Sequence, residues 1–287
     1  MICCRAAIAV VAMGALAAAG EPRRLTHDGR LKLAPVFMRD GQELAYSVHD
    51  VPNRVTVMRM SLADGTQSRM FPETEQHLFD AAVSRDGRYV AMARSSGSPQ
   101  LHLVIKDTAQ NTEGTYNPIE ARAGIRCPSI SPDSTRVIFG QSAPGGQQIA
   151  SVDMKGGDLK LLTRAAGINT HPHYSSDGRE IVFSSSRDGD FEIYVMQADG
   201  SNVRRLTDSP GMDAHPRWSP DGRRIAFTSR RDGNYEIYVM NADGSNPWNL
   251  TKHAERDDFA AWHPGGKQLA TISERSGDYD VYLFDVP

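Results

Sequence analysis

Residues 215–229 read HPRWSPDGRRIAFTS, and the run that follows at residues 236–241 reads EIYVMN. Branched and aromatic residues are concentrated in 225–229 and 236–241, as is typical of short β-strands. An Asp-Gly pair at 221–222 precedes the first of these runs, and another at 232–233 separates the two. Glycine accepts a positive φ without steric cost, so each pair favours a tight turn. The stretch therefore predicts antiparallel strands joined by short turns.

The same pattern recurs along the chain with a period of about 44 residues. Four strands in a repeat of this length are typical of a β-propeller blade. The repeated turn falls at Asp40, Asp86, Asp133, Asp177, Asp221 and, degenerately, Gly265, in steps of 46, 47, 44, 44 and 44 residues. We therefore predict an all-β, six-bladed β-propeller of four-stranded antiparallel blades, a single domain over 21–287. The predicted blades cover 33–71, 77–118, 124–164, 168–208, 212–252 and 256–287 plus 22–26.

The two ends of the repeat array complement each other. The last unit lacks the Leu-Thr strand that ends the best copies, whereas residues 23–26 read RRLT. We expect this N-terminal segment to pair with 279–285 and to close the ring. Closure would remove the exposed sheet edge that an open array presents.

The first twenty residues have a different composition from the rest. Arg5 precedes an apolar run of 14 residues over 6–19, which ends in three alanines. A helix that spans a bilayer needs about 20 residues, and small residues after a shorter apolar run are typical of a signal-peptidase site. We predict an export signal over 1–20, a periplasmic or secreted protein, and no membrane span after cleavage.

The charge balance restricts the partners. Lys and Arg number 32 against 35 Asp and Glu, which gives a net charge of −3. This balance argues against a nucleic-acid partner or a polybasic membrane binder. Three cysteines cannot build a disulfide scaffold, and only Cys127 follows the predicted signal. We expect a monomer that binds an envelope or periplasmic protein.

Polar side chains are concentrated where the innermost strands of units four to six should approach a central channel. Three interpretations of this cluster remain open: strand-end hydrogen bonding and turn capping, a rim that binds a partner or small ligand, and a divalent metal site. Imidazoles with carboxylates suit such metals, for which His171, His173 and His215 are the candidates. The channel-mouth candidates are Asn169, His171, His173, Asp213, His215, Arg217, Asp257 and Asp258.

The sequence lacks the common catalytic and nucleotide-binding motifs. It contains no Gly-x-Ser-x-Gly elbow, no GxxxxGK[ST] loop and no GxGxxG fingerprint. We therefore predict no catalytic residues and no cofactor other than a possible divalent metal.

Residues 215–229 and 232–244 closely resemble the WD40-like (PD40) blade repeat of the TolB family. The resemblance extends over 22–287 and implies a six-bladed propeller that binds a protein at its channel mouth, as in Tol-Pal-like cell-envelope assembly. TolB proteins carry an α/β domain before the propeller. Because the repeats here begin just after the predicted signal, we expect this chain to lack that domain. The alternative is a metal-assisted lyase or hydrolase acting on a sugar or lactone at the channel mouth.

Overall fold

The computed structural model describes residues 21–50, 54–95, 100–118 and 124–287. The predicted export signal, residues 1–20, lies outside the described residues. Strands and turns make up the described chain, apart from one 3₁₀ turn at Arg39–Gly41. Within these ranges no helix has the length and apolar character needed to cross a membrane. The predicted all-β class is confirmed.

The strands of the described residues form five sheets, which we number in chain order. Sheet I contains β2 (Lys32–Met38), β3 (Glu43–Asp50), β4 (Arg54–Ser61) and β5 (Gln67–Arg69). Sheet II contains β6 (His77–Val83), β7 (Tyr89–Ser95), β8 (His102–Asp107) and β9 (Thr112–Tyr116). Sheet III contains β10 (Ile125–Ile130), β11 (Arg136–Ala143), β12 (Gly146–Asp153), β13 (Lys160–Leu161), β14 (Gly167–Tyr174), β15 (Glu180–Ser185), β16 (Glu192–Gln197) and β17 (Arg204–Arg205). Sheet IV contains β18 (Asp213–Trp218), β19 (Arg224–Ser229), β20 (Glu236–Asn241) and β21 (Trp248–Asn249), and sheet V contains β22 (Asp257–Trp262), β23 (Gln268–Ser273), β24 (Asp280–Asp285) and β1 (Arg23–Arg24).

The hydrogen bonding corrects the predicted blade count. Four of the five sheets are four-stranded and sheet III is eight-stranded, so the prediction of six separate four-stranded blades is wrong. Sheet III contains two antiparallel meanders of four strands each, β10–β13 and β14–β17. Strands β12 and β14 pair in parallel and join the two meanders, with Gly146 opposite Gly167. A Cβ at Gly146 would meet the carbonyl oxygen of Gly167 at 2.0 Å, so only glycine permits this approach. Turn spacing could not reveal this pairing because it reports only how each meander is connected.

The innermost strands form a closed ring that gives the propeller its centre. Each of β2, β6, β10, β14, β18 and β22 contacts the next, and β22 contacts β2. Large apolar side chains fill the wedges between neighbouring meanders. Trp218, for example, packs with Val182 and Ile193 of the preceding meander. The ring therefore surrounds a central space into which these innermost strands can project side chains.

The N-terminal segment closes the ring as predicted. Strand β1 pairs antiparallel with β24, with Arg23 opposite Leu283 and Arg24 opposite Tyr282. The buried Thr26 hydroxyl donates to Oδ1 of Asp280 at 2.6 Å, and it accepts the backbone N–H of Val281 at 3.0 Å.

Thr26 uses the same hydrogen bonds as the Leu-Thr segments of other meanders. The Thr207 hydroxyl donates to Glu192 at 2.5 Å and accepts the N–H of Ile193 at 2.9 Å. Thr251 bonds Glu236 in the same way. The N-terminal segment thus supplies to the last meander the group that its own sequence lacks.

Asp280, near the C-terminal end, pairs with two cations from the N-terminal part of the chain. Arg24 Nη2 lies 2.5 Å from its carboxylate, and Nζ of the fully buried Lys32 lies 3.3 Å away. Burial alone would raise the pKa of Asp280, but the hydrogen bonds from Thr26 and Arg24 and the charge of Lys32 outweigh it and lower the pKa. The ionised carboxylate therefore stabilises the closed ring at pH values above the ordinary aspartate pKa of about 3.9, and this contribution is lost as the pH falls below it.

Deleting residues 21–27 is expected to lower the melting temperature strongly, because it exposes the edge of β24 and leaves Asp280 buried without Thr26 and Arg24. Thr26→Val should lower the free energy of unfolding by about 1–3 kcal/mol, the cost of an unmade bond to a buried acceptor. Thermal and denaturant unfolding measure both effects. Thr115→Val, at an exposed position, is the matched control and should leave stability unchanged; equal stability of all variants would contradict the closure role.

Candidate functional site

Each strand of the inner ring contains a β-bulge in which one residue adopts a left-handed backbone conformation. The register shifts lie at equivalent places in β2, β6, β10, β14, β18 and β22. We call the six left-handed residues the bulge ring: Ala34, Asp80, Cys127, His171, His215 and Phe259, with φ between 49° and 57°. A bulge bends its strand and re-aims the side chain, here at the centre of the propeller.

Side chains satisfy the backbone N–H groups that the bulges remove from the ladder. Ser47 Oγ accepts the N–H of Asp80 at 3.0 Å, and Asp80 Oδ2 in turn accepts the N–H of Cys127 at 3.1 Å. Ser184 Oγ accepts the N–H of His215 at 3.1 Å. Since a buried N–H without a partner costs about 1–3 kcal/mol, these bonds help to hold the unusual conformation.

A cavity of about 340 Å³ opens along the axis, at the end of the ring that carries the repeated turns. The bulge ring lines it except for His215, and Ser131, Ser175 and Ser219 of the turns form part of its rim. The residue two positions after each bulge also lines it. We call this second set the mouth ring: Val36, Ala82, Ser129, His173, Arg217 and Ala261.

Aromatic rings stack beside the base of the cavity. The imidazoles of His171 and His215 have centroids 4.2 Å apart, and the ring of His215 stacks on Phe259 at 4.3 Å with an interplanar angle of 8°. The structure thus brings together two of the three predicted histidines. Burial and the neighbouring His215, Arg217 and Arg126 hold the pKa of His171 well below its ordinary value. His171 is therefore neutral at pH 7.

His215 and Asp258, both predicted site residues, form one buried hydrogen-bonded network. Nδ1 of His215 lies 2.7 Å from Oδ1 of Asp258, which also accepts the Thr228 hydroxyl at 2.8 Å. Arg256 Nη2 lies 2.6 Å from the other carboxylate oxygen. Burial opposes ionisation of Asp258, but His215 and Arg256 outweigh it and hold the pKa of the carboxyl well below its usual range. The pair fixes the ring of His215 against its neighbours.

His173 bonds to backbone, and Arg217 stands in the mouth ring. Nδ1 of His173 accepts the N–H of Trp218 from the neighbouring strand at 3.3 Å. Burial, with a smaller contribution from the charge of Arg217, lowers the pKa of His173 to about 3. Arg217 Nη1 donates to the Pro216 carbonyl at 2.9 Å. His173 therefore joins two strands as a neutral acceptor.

The other three predicted site residues, Asn169, Asp213 and Asp257, do not line the cavity. All three are fully buried at the starts of their strands, towards the opposite end of the ring. Asp213 pairs with Arg231 and Asp257 with Arg275, each at 2.8 Å. Burial raises the pKa of Asp257 to about 6, against the opposing effects of Ser273 and Arg275. Their contacts fix the hairpins that follow.

Sequence reasoning left one cluster of the cavity wall out of the candidate set. Asp80 Oδ2 accepts Nε of Arg126 at 2.5 Å and lies 3.8 Å from Sγ of Cys127. Burial and the charge of Asp80 raise the pKa of the Cys127 thiol, so it stays protonated. The signal that could have found this cluster is its position, since Asp80 and Cys127 stand six residues before their turns, as His171 and His215 do.

Comparison with known families agrees with this architecture. The family described as TolB beta propeller domain (PD40) matches residues 58–210, more than half of the chain. The chain belongs to the TolB β-propeller domain family. The Tricorn protease N-terminal beta propeller domain matches residues 197–286. None of the curated proteins matches the sequence.

Solved structures share the fold of this TolB-type propeller at low sequence identity. A putative TolB from Agrobacterium tumefaciens is 24% identical, with a TM-score of 0.73 over 92% of this chain and 94% of that one. TolB from Acinetobacter baumannii is 19% identical, with a TM-score of 0.66 over 88% and 78%. An oligogalacturonate lyase from Vibrio parahaemolyticus is 16% identical, with a TM-score of 0.61 over 92% and 93%. These likenesses establish the propeller fold.

The three predicted metal candidates of this TolB-type propeller do not form a complete metal site in the described part of the chain. Within the described ranges, no three His, Cys, Asp or Glu side chains are grouped so that they could hold a metal ion. His171 and His215 are adjacent, but Nδ1 of His215 is occupied by Asp258 and Nδ1 of His173 by the Trp218 N–H. The described arrangement therefore offers no three-ligand site.

Stability of the propeller is expected to fall with acid. The folded chain keeps His173 neutral with a pKa of about 3, while the unfolded chain protonates it near 6.5. The contribution of neutral His173 to the free energy of unfolding is complete above about pH 6.5. It is lost towards pH 3, by up to about 1.4 kcal/mol per pH unit.

His173→Asn should reduce the slope of the unfolding free energy against pH by the equivalent of about one bound proton. An amide oxygen can accept the Trp218 N–H without titrating. Denaturant unfolding between pH 7 and pH 4.5 measures the slope. Gln110→Asn, at an exposed turn, is the control and should leave the slope unchanged, because neither side chain binds a proton. An unaltered slope in His173→Asn would contradict the assignment.

Proposed function

We propose that this TolB-type propeller is an exported, non-catalytic protein-binding module that acts in a Tol-Pal-like assembly of the cell envelope. The observation that carries the proposal is the axial cavity, which is open at one end of the ring and lined by every inner strand. Its wall is mostly apolar, as in the buried centre of a protein interface.

The chemistry of the rim supports a protein as the occupant. Pro132, Pro220 and Pro264 stand at the turns, while Trp218 and Trp262 lie further in. Tryptophan is enriched among the residues that carry binding energy at protein interfaces. Prolines present a rigid apolar surface that loses little conformational entropy on binding. A side chain from a partner could therefore insert between them.

The compartment follows from the predicted export signal. A signal over 1–20 would deliver the propeller to the periplasm or the cell exterior, where envelope proteins are available as partners. Membership of the TolB propeller family supports the same setting. The propeller would act there as a soluble scaffold.

A second candidate is a lyase or hydrolase acting on a sugar or lactone at the cavity; the metal assistance expected from the sequence has no three-ligand site in the described ranges. This candidate is favoured by the neutral His171, whose Nδ1 has no hydrogen-bond partner among the described residues, in a cavity that also holds Arg217. A neutral imidazole can act as a general base. The fold shared with oligogalacturonate lyases, one of them solved in complex with manganese, makes oligogalacturonate the first substrate to try, with and without Mn²⁺.

The second candidate predicts that the doubly substituted His171→Ala/His215→Ala protein loses the release of unsaturated product, followed by absorbance, while its circular dichroism remains that of the parent protein. No turnover by the parent protein, with or without Zn²⁺, Mn²⁺ or Ca²⁺, would eliminate this candidate.

The protein-binding proposal predicts that a bulky side chain at the cavity rim blocks the partner. The immobilised protein should capture an envelope protein from the native membrane extract, identified by mass spectrometry. Ser176→Trp, at an exposed rim residue, should reduce capture at least tenfold by steric exclusion.

Ser276→Trp is the matched control, because Ser276 is an exposed turn residue at the opposite end of the ring, beside the start of β24. It should retain capture. Equal capture by the two tryptophan variants would contradict binding at the cavity.

A further inference from the structure

Arg217 is the one long cationic side chain of the mouth ring. The equivalent positions carry Val36, Ala82, Ser129, His173 and Ala261, which share its register directly after the bulge. Most of these side chains are short, and the cavity of about 340 Å³ occupies the space that they leave. The guanidinium of Arg217 therefore stands beside a space large enough for a small group from another molecule.

Arg217 differs from comparable arginines in its partners. Arg126, Arg231 and Arg275 each pair with a carboxylate, at 2.5, 2.8 and 2.8 Å. Arg217 forms no ion pair with any carboxylate in the described ranges, and its guanidinium donates from Nη1 to the Pro216 carbonyl. A guanidinium has five N–H donors, so most of its capacity is unused.

An unpaired guanidinium in a partly desolvated site is costly unless an anion compensates it. Burial lowers the pKa of Arg217 and outweighs the opposing effect of the Asp80 charge. The side chain nevertheless stays charged, because an arginine does not lose its proton in a protein. An anion bound there would gain a strong, charge-assisted contact.

The charges of the cavity also favour an anion. Its ionised lining residues are three arginines, at 85, 126 and 217, and one aspartate, Asp80. Arg126 already neutralises Asp80. His171 and His173 are neutral, for the reasons given above. The cavity is thus locally positive in a chain whose net charge is −3.

We propose that Arg217 binds a carboxylate of the partner protein, either its C-terminal carboxylate or an Asp or Glu side chain inserted into the cavity. This inference rests on the proposed protein-binding function and names the group that the cavity recognises. The planar guanidinium fits a carboxylate with two parallel N–H···O bonds.

The wall of the cavity favours a protein carboxylate over an acidic sugar. A sugar presents several hydroxyl groups, each of which must exchange its bonds to water for bonds to protein. Pro35, Pro128, Pro132 and Pro220 have no N–H to donate, and Ala82 and Ala261 add only methyl groups. A carboxylate flanked by apolar peptide groups matches the combination of the Arg217 guanidinium, which lacks an ion-pair partner in the described ranges, and a mostly apolar wall.

Small probes test the inference directly. The protein, with ¹⁵N-labelled tryptophan, is titrated at pH 7 with N-acetyl-leucine and, separately, with its neutral amide. A second pair, N-acetyl-glutamate α-amide and N-acetyl-glutamine amide, represents a side-chain carboxylate. Indole signals of Trp218 and Trp262, which line the cavity, report binding, and Trp248, which lies outside it, is the internal reference.

We expect at least a tenfold preference for the acid over the amide in one of the pairs, and that pair identifies the C-terminal or the side-chain source. Arg217→Gln should reduce the preference below threefold, whereas Arg217→Lys should retain part of it. Arg85→Gln removes the same charge at an exposed rim position and should retain the preference, because water screens that site. Thermal unfolding of each variant verifies that it is folded.

Three results would overturn the inference: equal affinity for acid and amide, no movement of the Trp218 and Trp262 signals, or an undiminished preference in folded Arg217→Gln. Galacturonate binding at least tenfold tighter than both peptide acids would replace it with recognition of a sugar acid.

The inference and the proposed function fail in different ways. If Ser176→Trp abolishes capture of the envelope partner but Arg217→Gln does not, the binding module stands and the carboxylate inference falls. If capture does not depend on Ser176→Trp, binding at the cavity falls, while the titration still decides whether Arg217 selects a carboxylate.

Discussion

The left-handed bulge in every inner strand is the constraint on which the site depends. A residue other than glycine in this conformation is disfavoured by about 1–2 kcal/mol, and the ring contains six of them. Ser47, Asp80 and Ser184 offset part of that cost by accepting the N–H groups that the bulges release. Because the bulges re-aim side chains towards the axis, the propeller has a lined cavity there.

Ring closure makes this site a property of the whole chain. The cavity wall includes Ala34 from the first meander and Phe259 from the last, which are adjacent only when the ring is closed. Closure relies on Thr26 and Arg24, whose bonds to Asp280 join residues more than 250 positions apart in sequence. Stability of the last meander and integrity of the cavity are therefore coupled.

Charged residues at the two ends of the inner strands differ in whether they form ion pairs. Asp213 and Asp257 have arginine partners at the strand starts, so they fix local structure. Arg217, beyond the bulge, forms no ion pair within the described ranges and faces a cavity, so its charge remains available for recognition. The difference between the two aspartates and Arg217 is therefore whether an oppositely charged side chain lies within reach.

By itself, the sequence determined the repeated meanders, since Asp-Gly turns and branched runs are local properties of the backbone. It also determined the closure, because RRLT matches the segment that the last repeat lacks. Of the predicted site residues, His171, His173 and Arg217 line the cavity and His215 and Asp258 lie against it, because their distance from the turn places them near the axis.

Only the tertiary structure decided the division into sheets and the partners of each polar group. The merger of two meanders in sheet III depends on the close approach of Gly146 and Gly167, which turn spacing does not encode. Likewise, Asp80 with Arg126 and His215 with Asp258 meet across more than 40 residues of chain. Such contacts depend on how the strands pack around the ring, and a local sequence pattern does not specify that packing.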